Sequence, residues 1–146
     1  MNKGNNKAKI RLMNDLDMSM ITNFPPIGTY NDNGIQIGFQ GQFDGQNHII
    51  SNLTVTTYDD SESGLFGRVN GGGYIHNFGV VNASITNMSN IRAGVIAGEI
   101  HGCTVDNVFS AGDISISTDH PQKGGISGEA AEATLNNCYT TYDVYL

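Results

Sequence analysis

Tryptophan is absent from this 146-residue sequence, and Lys plus Arg number only 7 against 14 Asp plus Glu, a formal net charge of −7. No window gathers enough basic side chains to neutralise several phosphates, which argues against a nucleic-acid or anionic-membrane partner. Long hydrophobic runs are missing too. No stretch is apolar enough to cross a bilayer, and the opening MNKGNNKAKIRLMNDLDM carries positive charge without the apolar segment of a signal peptide. The two cysteines, Cys103 and Cys138, show neither CxxC nor metal-ligand spacing and so report no redox compartment. Strong helix formers are thin, with 4 Lys, 3 Arg and 4 Glu, so a helical fold is excluded on composition.

What the sequence does contain is 19 Gly, 17 Asn, 15 Ile, 11 Thr and 10 Ser, residues of turns and strands. The apolar share of 38% is spread evenly, which argues against disorder. The length suits one domain with a real core.

Three segments align on one another: GLFGRVNGGGYIHNFGVVNASIT from Gly64, GVIAGEIHGCTVDNVFSAGDISI from Gly94 and GGISGEAAEATLNNCYTTYDVY from Gly124. Ile75, Val105 and Leu135 are spaced 30 and 30, Asn77, Asn107 and Asn137 repeat that spacing, and Gly67, Gly98 and Gly128 are spaced 31 and 30. An earlier copy, IISNLTV from Ile49, sets Asn52 as a forerunner 25 residues before Asn77. Each repeat alternates apolar and polar residues in short runs, and none shows a helical apolar stripe.

Such a unit cannot bury its apolar face alone, whereas stacked copies form a continuous core. At about 3.3 Å per residue, thirty residues supply three short strands and three bends, one coil of a parallel β-helix with coils about 4.8 Å apart. The expected fold is therefore all-β, a right-handed parallel β-helix (β-solenoid) of about four to five coils. One domain spans 1–146, with 1–9 a candidate disordered lead, a divergent lead-in over 10–60, and repeats from 64, 94 and 124. Propeller blades need longer repeats and a stronger aromatic signature. In the β-helix, Ile75, Val105 and Leu135 form an inward apolar stack, and Asn77, Asn107 and Asn137 form an amide ladder that hydrogen-bonds along the axis.

The stretch FQGQFDGQNHIISNLTV, then SGLFGRVNGGGYIHNFGVVNASI and two GxxxGE(I/A) copies, resembles the GLUG-motif repeats of bacterial surface and secreted proteins. The IRLMNDLDMS and PPIG segments resemble the lead-in of those repeats, so the likeness runs from about Ile10 onward. It implies an extracellular, adhesin-like β-solenoid at the cell surface, with no catalytic residue. The repeats depart from the pattern at Phe78 and Val108, which stand where the third copy has Cys138.

Candidate chemistry is confined to a few rungs. Arg68, Glu99 and Glu129 each follow the repeated glycine and line up in successive coils. Two carboxylates a coil apart split their pKa values and suit acid/base work, yet the plainer expectation is a solvated ladder with Arg68 paired to Glu99. His76, Asp106 and Asn136 form a second ladder, a His beside an Asp with no equivalent nucleophile, which suits a surface hydrogen bond better than a relay. Cys103 and Cys138 fall at different repeat positions and cannot meet as a disulfide. Asp59, Asp60 and Glu62, in the acidic run before the first full repeat, are a weak Ca²⁺ candidate without EF-hand spacing; no other metal or cofactor is indicated. Phe43-Asp44-Gly45 suits a turn in which Asp44 bonds the backbone. Asn52, Asn82 and Asn87 open glycosylation sequons.

Two functions from different classes follow. The first is a non-catalytic structural or binding module that meets a glycan or a host or cell-surface protein, its open solenoid ends covered by a neighbouring domain or an oligomer. The second is a carbohydrate-active β-helix, a lyase or glycosidase. With seven scattered basic residues and no tryptophan platform, the enzyme is the weaker expectation.

Overall fold

In the computed structural model, which describes residues 6–29 and 37–143, every strand pairing is parallel and no helix occurs among the described residues. The chain winds as a β-solenoid of about four turns. The first turn carries β1 (Lys9–Arg11) and β2 (Leu16–Asp17), the second β3 (Gln42–Thr57) and β4 (Phe66–Val69). The third carries β5 (Tyr74–Asn87), β6 (Ala93–Gly94) and β7 (Ala97–His101), and the fourth β8 (Thr104–Ser117), β9 (Lys123–Gly124) and β10 (Ser127–Ala131). A partial turn follows with β11 (Thr134–Asn136) and β12 (Tyr139–Thr140). One sheet runs β1-β3-β5-β8-β11, a second runs β4-β7-β10, and β6 pairs β9.

The long strands are bent at single residues. β5 takes positive φ at Asn77 and Asn82, β3 at Gln46, Asn47 and Asn52, and β8 at Asn107 and Gly112. Asparagine enters the left-handed region more readily than other side-chain-bearing residues because its short amide bonds locally. The asparagine richness is thus a corner code. It also corrects the expected register: Asp44 pairs with His76 and His48 with Phe78, so residues 45–47 span the Asn77 rung, and Asn47, 30 residues earlier, is its counterpart. Asn52 instead faces Asn82, between the Ser51–Val81 and Leu53–Ala83 pairs.

The interior is filled by like residues stacked one coil apart. Phe43 sits on Ile75 and Ile75 on Val105, and Val55 on Ile85 and Ile85 on Ile116. Ile75 and Val105 are fully buried, and cutting such a side chain to Ala costs about 2–5 kcal/mol. Leu135 departs from the expected stack: it pairs with Val105 but stays 40% exposed, because no coil covers β11 among the described residues. Phe43 packs edge-on against Phe66 and Phe78 at centroid distances of 5.4 and 5.0 Å, tying the two sheets together near the N-terminal end. Of the expected disordered lead, residues 1–5 lie outside the described residues. The rest is ordered, since Asn6 and Ala8 accept backbone hydrogen bonds from Gln40 and Gln42, and Lys9 starts β1.

Candidate functional site

The charged residues of the repeats converge where the second sheet begins. The segments holding Glu62, Arg92 and Gln122 precede each strand of that sheet and fold back across the repeated glycines. A Cβ at Gly98 would come within 2.4 Å of Glu62 Cβ and 2.9 Å of the Ser63 nitrogen, so only glycine admits the fold-back. This aligns two columns, Glu62, Arg92, Gln122 beside Arg68, Glu99, Glu129.

The columns are cross-linked. Arg68 Nη2 donates to Glu99 Oε1 at 2.6 Å, and Arg92 Nη1 donates to Glu99 Oε2 at 3.1 Å while lying 3.6 Å from Glu62 Oε1. Arg92 Nε donates to Gln122 Oε1 at 2.9 Å and also meets Glu129 Oε2, and Gln122 Nε2 donates to that same oxygen at 2.9 Å. Arg68 and Glu99 occupy one rung of the β4–β7 pairing, and Glu99 and Glu129 one rung of β7–β10. Three carboxyls share two guanidinium groups. Burial pushes the Glu62 carboxyl above its ordinary value; the Glu99 charge and a hydrogen bond to Glu99 push the same way, against the pull of Arg68.

The expected ladder is therefore present, but it is not solvated. Glu99 is 7% exposed and Glu62 4%, so neither serves as an open surface group. Sequence reasoning missed Arg92 and Gln122 and misplaced Glu62. The signal was available: Glu62, Arg92 and Gln122 repeat at 30 and 30, the same period as the asparagines.

The second ladder also forms. His76 pairs in register with Asp44 on one side and Asp106 on the other, with Asn136 beyond. His76 is buried rather than a surface group, its ring stacked 4.1 Å from that of Tyr74. Its Nδ1 meets the Asn77 amide at 2.9 Å and its Nε2 the Gln42 amide at 3.2 Å, leaving the Asp44 carboxylate 3.9 Å away. Both ring nitrogens are taken by amides, an arrangement that holds a corner rather than relays a proton. Asp44 also accepts from the Gln46 backbone, which holds its carboxyl below the usual range.

Of the amide ladder, Asn107 donates to Asn77 at 3.0 Å, while Asn137 turns to Asp106 at 3.5 Å. These amides run along the outer corner, and both Asn107 and Asn137 are exposed. At the N-terminal end two aspartates brace the neighbouring coil: Asp15 accepts from the Ile49 backbone at 2.9 Å and contacts His48, and Asp17 accepts from the Asn52 amide at 3.0 Å. Those hydrogen bonds, from Ile49 and then His48 on Asp15 and from Asn52 and then Ser19 on Asp17, lower both carboxyls.

The remaining candidates do not assemble. Asp59 and Asp60 stay in an exposed loop while Glu62 turns into the charge ladder, and no group of three His, Cys, Asp or Glu able to hold a metal occurs among the described residues. Both cysteines are free; burial pushes the Cys103 thiol up to about 11 and raises Cys138 as well, which disfavours the thiolate at both. Asn87 is buried, its amide bonded to Ser61 and Ser63, so it is no open sequon.

A parallel β-solenoid braced by internal charge and amide ladders is the class this geometry defines. No family model matches the chain. It is 32% identical to halomucin of Haloquadratum walsbyi over 126 aligned residues, which cover 81% of this chain and 1% of halomucin. It superposes on a candidate immunoglobulin A1 protease from Bacteroides ovatus with a TM-score of 0.71 at 25% identity, over 92% of this chain and 40% of that one. The chain thus spans a small part of one relative and less than half of the other.

Proposed function

We propose that this chain is a non-catalytic binding module of a larger cell-surface or secreted protein. The observation that carries the reading is the clamping of Glu99 between Arg68 and Arg92: the carboxylate best placed for acid/base work is buried and spent on holding coils together. A glycosidase carboxylate has to reach a glycosidic oxygen and keep a partner about 5–10 Å away, and neither Glu62 nor Glu99 is open to one. The likeness of the repeats to GLUG motifs and the similarity to halomucin, a mucin by name, support an extracellular setting. They also support adhesion to glycans or proteins as the task.

The competing reading, an enzyme, draws on the fold shared with the candidate immunoglobulin A1 protease. Incubating the chain with immunoglobulin A1 and with neutral and acidic polysaccharides, and following new chain ends, decides between them. The module reading expects no turnover. Cleavage that disappears in Glu99→Gln or Glu129→Gln would overturn it.

A further inference from the structure

Along one bend of the solenoid, between the second and third stretches of the long strands, runs an open groove of about 930 Å³ that crosses every turn. Its rungs repeat: Asn52 with Thr54, Asn82 with Ser84, and Asp113 with Ser115. The repetition has a backbone cause. Asn52, Asn82 and Gly112 all adopt positive φ, folding the surface inward at one place in each coil. The next outward residue is a hydroxyl each time, and the pairs Thr54–Ser84 and Ser84–Ser115 place those hydroxyls in register.

We infer that this groove binds an extended, neutral glycan lying along the solenoid axis, a proposal that rests on the module reading and names its ligand. Three features point there. The rungs recur about every 4.8 Å, close to the length of one sugar ring in an extended chain, so successive rings meet the same donors and acceptors. The lining offers hydroxyls, amides and the Asp113 carboxylate, which suit polyhydroxylated partners. No Lys or Arg lines the groove, and Asp113 and Asp143 repel uronates and sulfates. Asn82 already spends Oδ1 on the Asp113 backbone at 2.9 Å, which holds the bend rigid before a ligand arrives.

The test is affinity electrophoresis of the whole chain through gels containing hydroxyethylcellulose, xylan, glucomannan, alginate or polygalacturonate, followed by calorimetry with oligosaccharides of the retarding polymer. Retardation by a neutral polymer is expected, with affinity rising with chain length to a plateau at about four to five sugars, one per rung. The double variant S84V/S115V removes two outward hydroxyls while putting in β-branched residues suited to a strand. It should weaken binding about tenfold or more with an unchanged circular dichroism spectrum and urea midpoint. Absence of retardation in every neutral gel, stronger retardation by the acidic polymers, or undiminished binding by the folded double variant would each overturn the groove assignment. Turnover of a retained polymer would instead sink the module reading while leaving the groove in place.

Discussion

Arg68 of one coil donates to Glu99 of the next at 2.6 Å, across a rung that the strand register already brings together. Glu99 also receives Arg92, so removing its carboxylate takes a partner from two guanidinium groups at once. Taking one partner from a buried ion pair costs about 3–5 kcal/mol, and the partial exposure of both arginines brings the expected loss for Glu99→Ala to roughly 2–3 kcal/mol. Urea melts of Glu99→Ala beside the more exposed Glu129→Ala give the comparison. Equal losses would show that Glu99 is not the hub.

Glu62 sets the sign of a pH dependence. Its carboxyl is raised, so the folded chain holds a proton that the unfolded chain releases at the ordinary value of 4.5. Stability from this group is present below that value and lost as pH rises from 4.5 through the raised native value. Asp15, Asp17 and Asp44 act oppositely, their lowered carboxyls losing stability only as pH falls below the ordinary 3.8. Glu62→Gln keeps a donor toward Glu99 without the titration, and should flatten the fall in melting temperature as pH rises above 4.5. A slope as steep as in the wild type would remove Glu62 from the account.

Asn107 tests the corners. With φ at 55° and its side chain exposed, its contribution is backbone conformation plus the bond to Asn77. Asn107→Gly should stay within about 1 kcal/mol of wild type, whereas Asn107→Val, β-branched in the left-handed region, should cost about 1–3 kcal/mol. The result is read from denaturant midpoints. Valine as benign as glycine would show that this corner relaxes.

Gly98→Ala tests the fold-back. The new methyl meets the Glu62 Cβ and the Ser63 backbone, neither of which retreats without moving the whole segment. The expected cost is about 1–3 kcal/mol, with faster hydrogen exchange at the Ser63 amide, which donates to the Arg92 carbonyl. Unchanged exchange there would mean that the segment is not held by the glycine.

The solenoid was legible because its physics is periodic. Residues 30 apart become neighbours, so Ile75 and Val105, or His76 and Asp106, could be placed together before any coordinate. Asn47 was harder. Residues 45–47 hold two more residues at their corner than Asn77 does at its own, and that shift hid a partner still 30 residues away. Glu62 was misread because an acidic run looks like a solvated loop until something decides which of its side chains turns inward.

By itself, then, the sequence determined the strand class, the coil length and the columns of like residues, since these follow from local propensity and spacing. Tertiary structure alone decided which columns are buried. Whether Glu99 faces water depends on the Glu62 segment folding back over Gly67 and Gly98, and although both columns repeat along the chain, their spacing does not say that one packs over the other. The groove has the same origin. Asn52, Asn82 and Gly112 read as turn residues anywhere, and only their stacking at one bend of successive coils turns three separate corners into a continuous surface.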